Sequence, residues 1–158
     1  CLKACPNHAL QADVLGTGPE RIWAPVLAAD WAGCEPSCNA CGRVCPTGAI
    51  RALDLERKRA ERMGLARVDE KACLPFAGRQ ECRLCVDECQ VAGYHALEFR
   101  RVGTRLDADG FPIEESGFLA PVVLADRCVG CGLCQTRCYH EHVRRSGLLE
   151  VAAIRVGR

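Results

Sequence analysis

The sequence predicts a small, loop-rich α+β fold made of two tandem modules that are held together by their cysteines. The chain has 14 cysteines in 158 residues, and two modules of about 75 residues each would have thin cores that need disulfides or metals. The cysteines fall into four groups with one repeated spacing. Short strands are predicted before and after the third and fourth groups.

The four cysteine groups share one ending. Each complete group ends in C-x2-C-x3-C, and only its first gap varies. The opening stretch CLKACPNHAL aligns with CGRVCPTGAI of the second group, so we expect an internal repeat whose first copy begins upstream of residue 1. The groups are Cys1 and Cys5; Cys34, Cys38, Cys41 and Cys45; Cys73, Cys82, Cys85 and Cys89; and Cys128, Cys131, Cys134 and Cys138.

The segments between the groups predict the module boundary. ARVDEKAC and VVLADRC are each expected to form a short strand, an acidic turn and the cysteine that enters the third or fourth group. HALEFRRV and AAIRV are expected to be strands that leave these groups. A helix is predicted over 53–64, ending at Gly64, and a surface loop with a turn over 102–118. We place the boundary near 62–66, which gives a first module of 1–65 and a second of 66–158.

Composition and motifs exclude several classes of function. The 21 Lys and Arg nearly balance the 20 Asp and Glu, so no nucleic-acid-binding face is expected. No run of about 18 apolar residues predicts a membrane-spanning helix. A Ser/His/Asp arrangement, a glycine-rich phosphate loop and a dinucleotide fingerprint are all absent from the sequence. We therefore expect neither an enzyme with its own active site nor a small-molecule substrate.

The cysteine spacing favours iron–sulfur clusters. Structural zinc sites take paired C-x2-C units, and disulfides suit small secreted scaffolds. Three overlapping C-x2-C pairs also differ from a single dithiol redox motif. In bacterial two-cluster ferredoxins, C-x2-C-x2-C holds one [4Fe-4S] cluster and the fourth cysteine ligates the other cluster.

This rule predicts a ligand set for each cluster. The fourth cysteine, after x3, is expected to lie at the start of a helix that turns away from the first cluster. Three clusters would be complete in the chain and the other would need ligands from upstream. The irregular first gaps leave Cys34 and Cys73 open as ligands, and without Cys73 the third cluster could hold three irons. The sets are Cys1 and Cys45 for cluster I; Cys5, Cys34, Cys38 and Cys41 for cluster II; Cys73, Cys82, Cys85 and Cys138 for cluster III; and Cys89, Cys128, Cys131 and Cys134 for cluster IV.

Two further segments lie beside the fourth group. YHEHVRR, residues 139–145, is expected to begin a polar helix near cluster IV, and none of the four histidines has the arrangement of a Rieske centre. The glycines of GCG at 130–132 are expected to wrap the cluster and to let backbone N–H groups approach its sulfides.

These motifs resemble a known family. CEPSCNACGRVCPTGAI and CVGCGLCQTRC look like bacterial ferredoxin-type 2[4Fe-4S] modules. DEKACLPFAGRQECRLCVDEC, followed by FLAPVVLADRCVGCGLCQTRC, is similar to the ferredoxin-type subunits of periplasmic nitrate reductase and of methylamine-utilisation systems.

The resemblance implies a polyferredoxin with four [4Fe-4S] clusters. Such a protein would transfer electrons beside the plasma membrane, from a quinol-linked membrane subunit to an oxidoreductase. The side of the membrane stays open. Two alternatives also stay open, namely a cluster-bearing part of a larger oxidoreductase and a structural or redox-sensing module that unfolds when its clusters are removed.

Overall fold

Short strands and helices alternate along the chain. The computed structural model describes residues 2–14, 22–113 and 116–157. The strands are β1 Leu10–Ala12, β2 Pro25–Leu27, β3 Leu65–Val68, β4 Leu97–Val102, β5 Phe118–Val123 and β6 Ile154–Gly157. The α-helices are α1 Ala40–Arg43, α2 Leu55–Ala60, α3 Leu84–Val91 and α4 Leu133–Cys138, with a 3-10 helix at Leu2–Ala4 and a π-helix at Tyr139–Arg145. This is the mixed α and β content expected from the sequence.

The strands form antiparallel pairs around the cysteine groups. β4 leaves the third group and pairs with β5, which enters the fourth, with Leu97 opposite Val123. In the same way, β1 leaves the first group and pairs with β2, which enters the second, with Leu10 opposite Leu27. β3 and β6 pair at the two ends of residues 65–157. The pairing therefore follows the sequence repeat.

The helix predicted over 53–64 is shorter than expected. Asp54 caps its start by accepting a 2.8 Å hydrogen bond from the Arg57 N–H. The backbone becomes extended at Glu61, so Gly64 does not end the helix. A Cβ at Gly64 would lie 2.7 Å from the Gly157 carbonyl oxygen, and this position therefore favours glycine because β6 packs there.

The loop after β4 contains the turn that its sequence predicts. The Asp107 carboxylate accepts hydrogen bonds from the backbone N–H groups of Asp109 at 3.0 Å and Phe111 at 2.8 Å. An isolated bridge joins Leu106 to Pro112. A side chain that bonds to the backbone two residues ahead is the usual stabiliser of such a turn.

The main hydrophobic core lies in residues 65–157. Val86 of α3 is completely buried at its centre. Six cysteines are part of this core, so apolar side chains and thiol groups pack together in it. The buried members are Ala66, Cys73, Leu74, Cys85, Val86, Cys89, Ala96, Leu97, Cys128, Cys134, Cys138, Leu149, Ala152, Ala153 and Ile154.

The described residues of the first half pack on this core through close backbone contacts. The Met63 N–H donates to the Val129 carbonyl at 2.8 Å. Gly130 has φ +71, and a Cβ there would lie 2.5 Å from the backbone of Gly64. Gly130 was expected only to wrap a cluster, but it also permits this approach of two chain segments.

A buried side-chain network strengthens the same contact. The Gln135 amide donates to the Asp30 carboxylate at 2.7 Å and accepts from the Val156 N–H at 2.7 Å. These bonds satisfy a polar group that the contact buries. No helix in the described ranges has the length and apolar character needed to cross a membrane.

Candidate metal centre

Two cavities in residues 65–157 are each lined by four cysteines. Cavity IV has a volume of about 20 Å³ and contains the four predicted ligands of cluster IV, Cys89, Cys128, Cys131 and Cys134. Cavity III also has a volume of about 20 Å³ and contains the four predicted ligands of cluster III, Cys73, Cys82, Cys85 and Cys138. Each cavity thus takes three cysteines from one group and one from the other.

The helices explain why the fourth cysteine changes cavity. An x3 gap places two cysteines four residues apart, on the same face of a helix and about 6 Å apart along its axis. On α3, Cys85 lines cavity III and Cys89 lines cavity IV. On α4 the order is reversed, because Cys134 lines cavity IV and Cys138 lines cavity III. The two packed helices therefore join the two cavities.

One detail of the expected motif differs in the structure. The fourth cysteine was expected at the start of a helix. Instead α3 begins at Leu84 and α4 at Leu133, each one residue before the third cysteine. The third and fourth cysteines lie on one helix, whose i, i+4 geometry separates them, so no turn of the chain is needed.

A third cavity lies in the first half of the chain. Cavity II, with about 200 Å³, is lined by Cys5, Cys34, Cys38 and Cys41, the predicted ligands of cluster II. All four cysteines are half-buried. Cys5 reaches the cavity from the short 3-10 helix segment, while the other three come from the loop that ends in α1. The irregular gap after Cys34 does not remove this residue from the set.

A lysine lies beside cavity II. Lys58 of α2 is buried, and its ammonium donates to the Glu35 carbonyl oxygen. Burial raises the pKa of Cys34, while the positive charge of Lys58 and its hydrogen bond oppose the increase. Nothing in the cysteine spacing indicated this lysine. The helical pattern of residues 53–64 was the one signal that could have placed it on the inner face.

The predicted ligands of cluster I are not both visible. Cys1 lies outside the described residues. Cys45 comes after the end of α1, and its sulfur accepts a 3.4 Å hydrogen bond from the Ile50 N–H and lies 3.7 Å from the Thr47 hydroxyl. These hydrogen bonds, that of Ile50 first, lower the pKa of Cys45 to about 7.

The thiols of cavities III and IV need a compensating positive charge. Burial raises the pKa of Cys73 and that of Cys131 to about 11, and neighbouring cysteines add to the increase. Burial also raises the pKa of Cys134 well above its ordinary value, with Cys131 and Cys85 as the next causes. Four buried thiolates would repel one another, whereas iron ions would supply the missing positive charge. The residues present therefore fit a metal cluster.

Backbone donors point at the sulfurs of cavity IV. The Ala66 N–H donates to Cys128 Sγ at 3.4 Å, and the Ala96 N–H donates to Cys89 Sγ at 3.3 Å. Such bonds stabilise thiolate ligands and tune the metal centre. All thirteen cysteines in the described ranges are free. No three His, Cys, Asp or Glu side chains there converge on a position suited to a single ion; the thiols surround cavities instead.

Sequence reasoning missed two aromatic residues of the site. The YHEHVRR segment was expected near cluster IV, but His142 lines cavity III, with Nε2 3.2 Å from Cys82 Sγ. The expectation was wrong because a π-helix continues α4 past Cys138 towards cavity III. Tyr94 lines cavity IV, and burial raises its pKa to about 12, with the charge of Cys131 as the second cause.

Comparison with known proteins agrees with this geometry. Residues 80–142 match the family model of the 4Fe-4S dicluster domain. The match spans α3, β4, β5 and α4, which form part of the walls of cavities III and IV.

The relatives cover a longer stretch than the dicluster match. The chain is 35% identical over 145 residues to the ferredoxin-type protein NapG of Escherichia coli, which covers 89% of this chain and 58% of NapG. It is 31% identical over 160 residues to the methylamine utilization ferredoxin-type protein MauM of Methylobacillus flagellatus, covering 99% of this chain and 58% of MauM. The chain therefore spans little more than half the length of these relatives. No solved structure matches the chain significantly.

Proposed function

We propose that this chain is an iron–sulfur electron-transfer domain that holds three [4Fe-4S] clusters. The supporting observation is that three separate cavities are each lined by four cysteines from two sequence motifs. A bound [4Fe-4S] cluster supplies one-electron redox chemistry, with a potential set by charge, hydrogen bonds and burial. The names of the relatives NapG and MauM, both ferredoxin-type proteins, support the same role.

The proposed ligands are the cysteines that line each cavity. Cavities III and IV would form one two-cluster module in residues 66–158, and cavity II would belong to a first module in residues 1–65. Cys1 and Cys45 remain the predicted ligands of cluster I. The paired helices α3 and α4 support the two-cluster arrangement of the second module, because each contributes one cysteine to each cavity.

The cavities follow one another in the order II, IV, III. The Cys34 N–H donates to the Cys131 carbonyl at 2.7 Å, which joins the loops of cavities II and IV. The charges of Cys131 and Cys34 both raise the pKa of Tyr94, so its ring lies near both loops. Cavities IV and III share α3 and α4. This linear order supports a relay with cavity II at one end and cavity III at the other.

We propose that the partners are other redox proteins. A quinol-linked membrane subunit as donor and an oxidoreductase as acceptor would suit a relay beside the plasma membrane. The rival function is a cluster-bearing part of a larger oxidoreductase. The ferredoxin-type relatives favour an electron carrier without catalytic turnover of its own.

Anaerobic reconstitution tests the proposed function. We expect about twelve iron atoms in this chain, four for each of three clusters, and visible absorbance that is bleached and restored in a reversible redox titration. Zinc in place of iron, without visible absorbance, would contradict the proposal. Turnover of a substrate by the isolated chain would favour the enzyme instead.

A matched pair of substitutions tests the crossed ligands of cavity II. Cys5→Ser is expected to lower the iron content to between about eight and eleven, because the three remaining thiolates hold at most a three-iron cluster. Cys45→Ser is the control, since Cys45 does not line cavity II, and it should keep about twelve. Loss of iron in Cys45→Ser but not in Cys5→Ser would mean that Cys45, and not Cys5, is a ligand of the cluster in cavity II.

A further inference from the structure

His142 is a buried histidine in the wall of cavity III. It is 6% exposed and lies in the π-helix that continues α4. The Leu149 N–H donates to its carbonyl at 3.0 Å, which anchors the backbone of this turn. Wide π-helical turns inside α-helices are frequent at functional sites. This turn directs an imidazole to the cavity where the cysteine motif has none.

The imidazole contacts a predicted ligand. Its Nε2 atom lies 3.2 Å from Cys82 Sγ, within hydrogen-bond distance for sulfur. Its Nδ1 atom is buried and has no partner among the described residues. The two nitrogens of the same ring therefore have different surroundings.

This asymmetry determines which nitrogen has the proton. With hydrogen on Nδ1 alone, a buried donor would have no acceptor, and the lone pair of Nε2 would face the lone pairs of the sulfur. An unsatisfied buried donor costs about 1–3 kcal/mol. With hydrogen on Nε2, the donor meets the thiolate and only an acceptor lone pair stays unused. The geometry therefore favours Nε2–H donating to Cys82.

We propose that His142 tunes the cluster of cavity III by donating its Nε2–H to the Cys82 thiolate. The inference rests on the proposed function, in which this quartet binds a [4Fe-4S] cluster. A reduced cluster is more negative than an oxidised one, so a hydrogen bond to its thiolate stabilises the reduced state more and raises the reduction potential. His142 is a positioning and tuning residue; it is not a ligand.

Cavity IV is the internal comparison. Its described sulfur hydrogen bonds, from Ala66 to Cys128 and from Ala96 to Cys89, come from the backbone. No substitution of a side chain removes such donors directly. In cavity III backbone N–H groups also bond to the sulfurs, that of Leu84 to Cys82 among them, but a single substitution removes the side-chain donor. An effect restricted to one of the clusters is therefore expected.

The test compares three variants of the reconstituted chain in EPR-monitored redox titrations. His142→Leu removes the donor and keeps an apolar side chain in the cavity wall. We expect the iron content to stay at about twelve and one potential to shift to a lower value while the others stay unchanged. His142→Gln keeps an N–H donor and should restore part of that shift. His140→Leu is the control, because His140 is exposed and contacts the Trp31 carbonyl; it should move no potential.

Other results would overturn the inference. Unchanged potentials in His142→Leu would show that the contact does not tune the cluster. Loss of about four irons in both His142 variants would show that this residue only maintains the cavity. An iron-free wild-type chain would instead refute the proposed function itself, and the inference with it.

A measurement on the unsubstituted chain does not depend on how the variants fold. Pulsed EPR of the reduced chain labelled with ¹⁵N-histidine should show a weak nitrogen coupling, as for a nitrogen that reaches iron through N–H···S. A strong coupling, typical of a nitrogen bound directly to iron, would make His142 a ligand and overturn the inference. Absence of any coupling would overturn it as well.

Discussion

The two halves of the chain contain the same cysteine motif but enclose it differently. Cavities III and IV lie within the main hydrophobic core, and six of their eight cysteines are buried. Cavity II has four half-buried cysteines and a volume of about 200 Å³, against about 20 Å³ for cavity IV. No residue of the first half belongs to the core cluster of the described residues. Similar motifs therefore produce sites with unequal protection from solvent.

The source of this difference is the packing around each site. In the second half, α3 and α4 contribute cysteines to both cavities, so each helix supports two sites. In the first half, α1 has four residues and ends before Cys45. Cavity II also depends on the second half, since Gly33 packs against the Leu133 backbone and the Cys34 N–H bonds to Cys131. We therefore expect the stability of cavity II to depend on the packing of the first half against the second.

The largest effect is expected from Cys134→Ser. Cys134 is 7% exposed, and the charge of Cys85 from the neighbouring cavity is among the causes that raise its pKa. Loss of this ligand should lower the iron content from about twelve to eight or fewer and lower the thermal stability of the second half. Iron analysis and anaerobic thermal unfolding measure both quantities.

Cys38→Ser is the matched control in the first half. Cys38 is half-buried and, of cavities II, III and IV, lines only cavity II. It should lose between about one and four irons and leave the unfolding temperature of the second half unchanged. If Cys134→Ser and Cys38→Ser destabilised the protein equally, the two halves would not differ as the burial of their cysteines indicates.

A smaller effect is expected at the contact between the halves. Gly130→Ala places a methyl group 2.5 Å from the Gly64 backbone at φ +71. The left-handed backbone costs an alanine about 1–2 kcal/mol, and overpacking adds about 1–3 kcal/mol. Denaturant unfolding should show both losses, and iron in cavity II should become easier to remove.

Gly110→Ala separates the two causes. Gly110 has φ +86, but a Cβ there meets no atom within 4 Å. It should lose only the backbone contribution, about 1–2 kcal/mol. Equal destabilisation by Gly110→Ala and Gly130→Ala would mean that the methyl group of Gly130→Ala is not overpacked. The close approach of Gly64 and Gly130 would then not contribute to the packing of the two halves.

The smallest expected effect is kinetic. A chelator added to the reconstituted chain under anaerobic conditions should remove about four irons quickly and about eight slowly, because the ligands of cavity II are more exposed. Absorbance of the iron–chelator complex follows both phases. The fast phase should be smaller in Cys5→Ser. Release of all the iron in one phase would contradict unequal protection.

Several elements could be predicted because they depend on local spacing. β3 to β6 lie within or beside their predicted segments. The quartets that line the cavities match the sets derived from C-x2-C and C-x3-C spacing, since an x3 gap is an i, i+4 step on a helix. The predicted helix over 53–64 was too long because Glu61 adopts an extended backbone where the chain turns towards the second half.

Sequence by itself predicted which cysteines from two groups line one cavity together. This is so because ligand spacing is a property of a few consecutive residues. Only the tertiary structure decided how deeply each quartet is buried, that Gly130 packs on Gly64, and that His142 reaches Cys82 across 60 residues of sequence. Such contacts depend on how separate segments pack, and no local pattern records the distance between them.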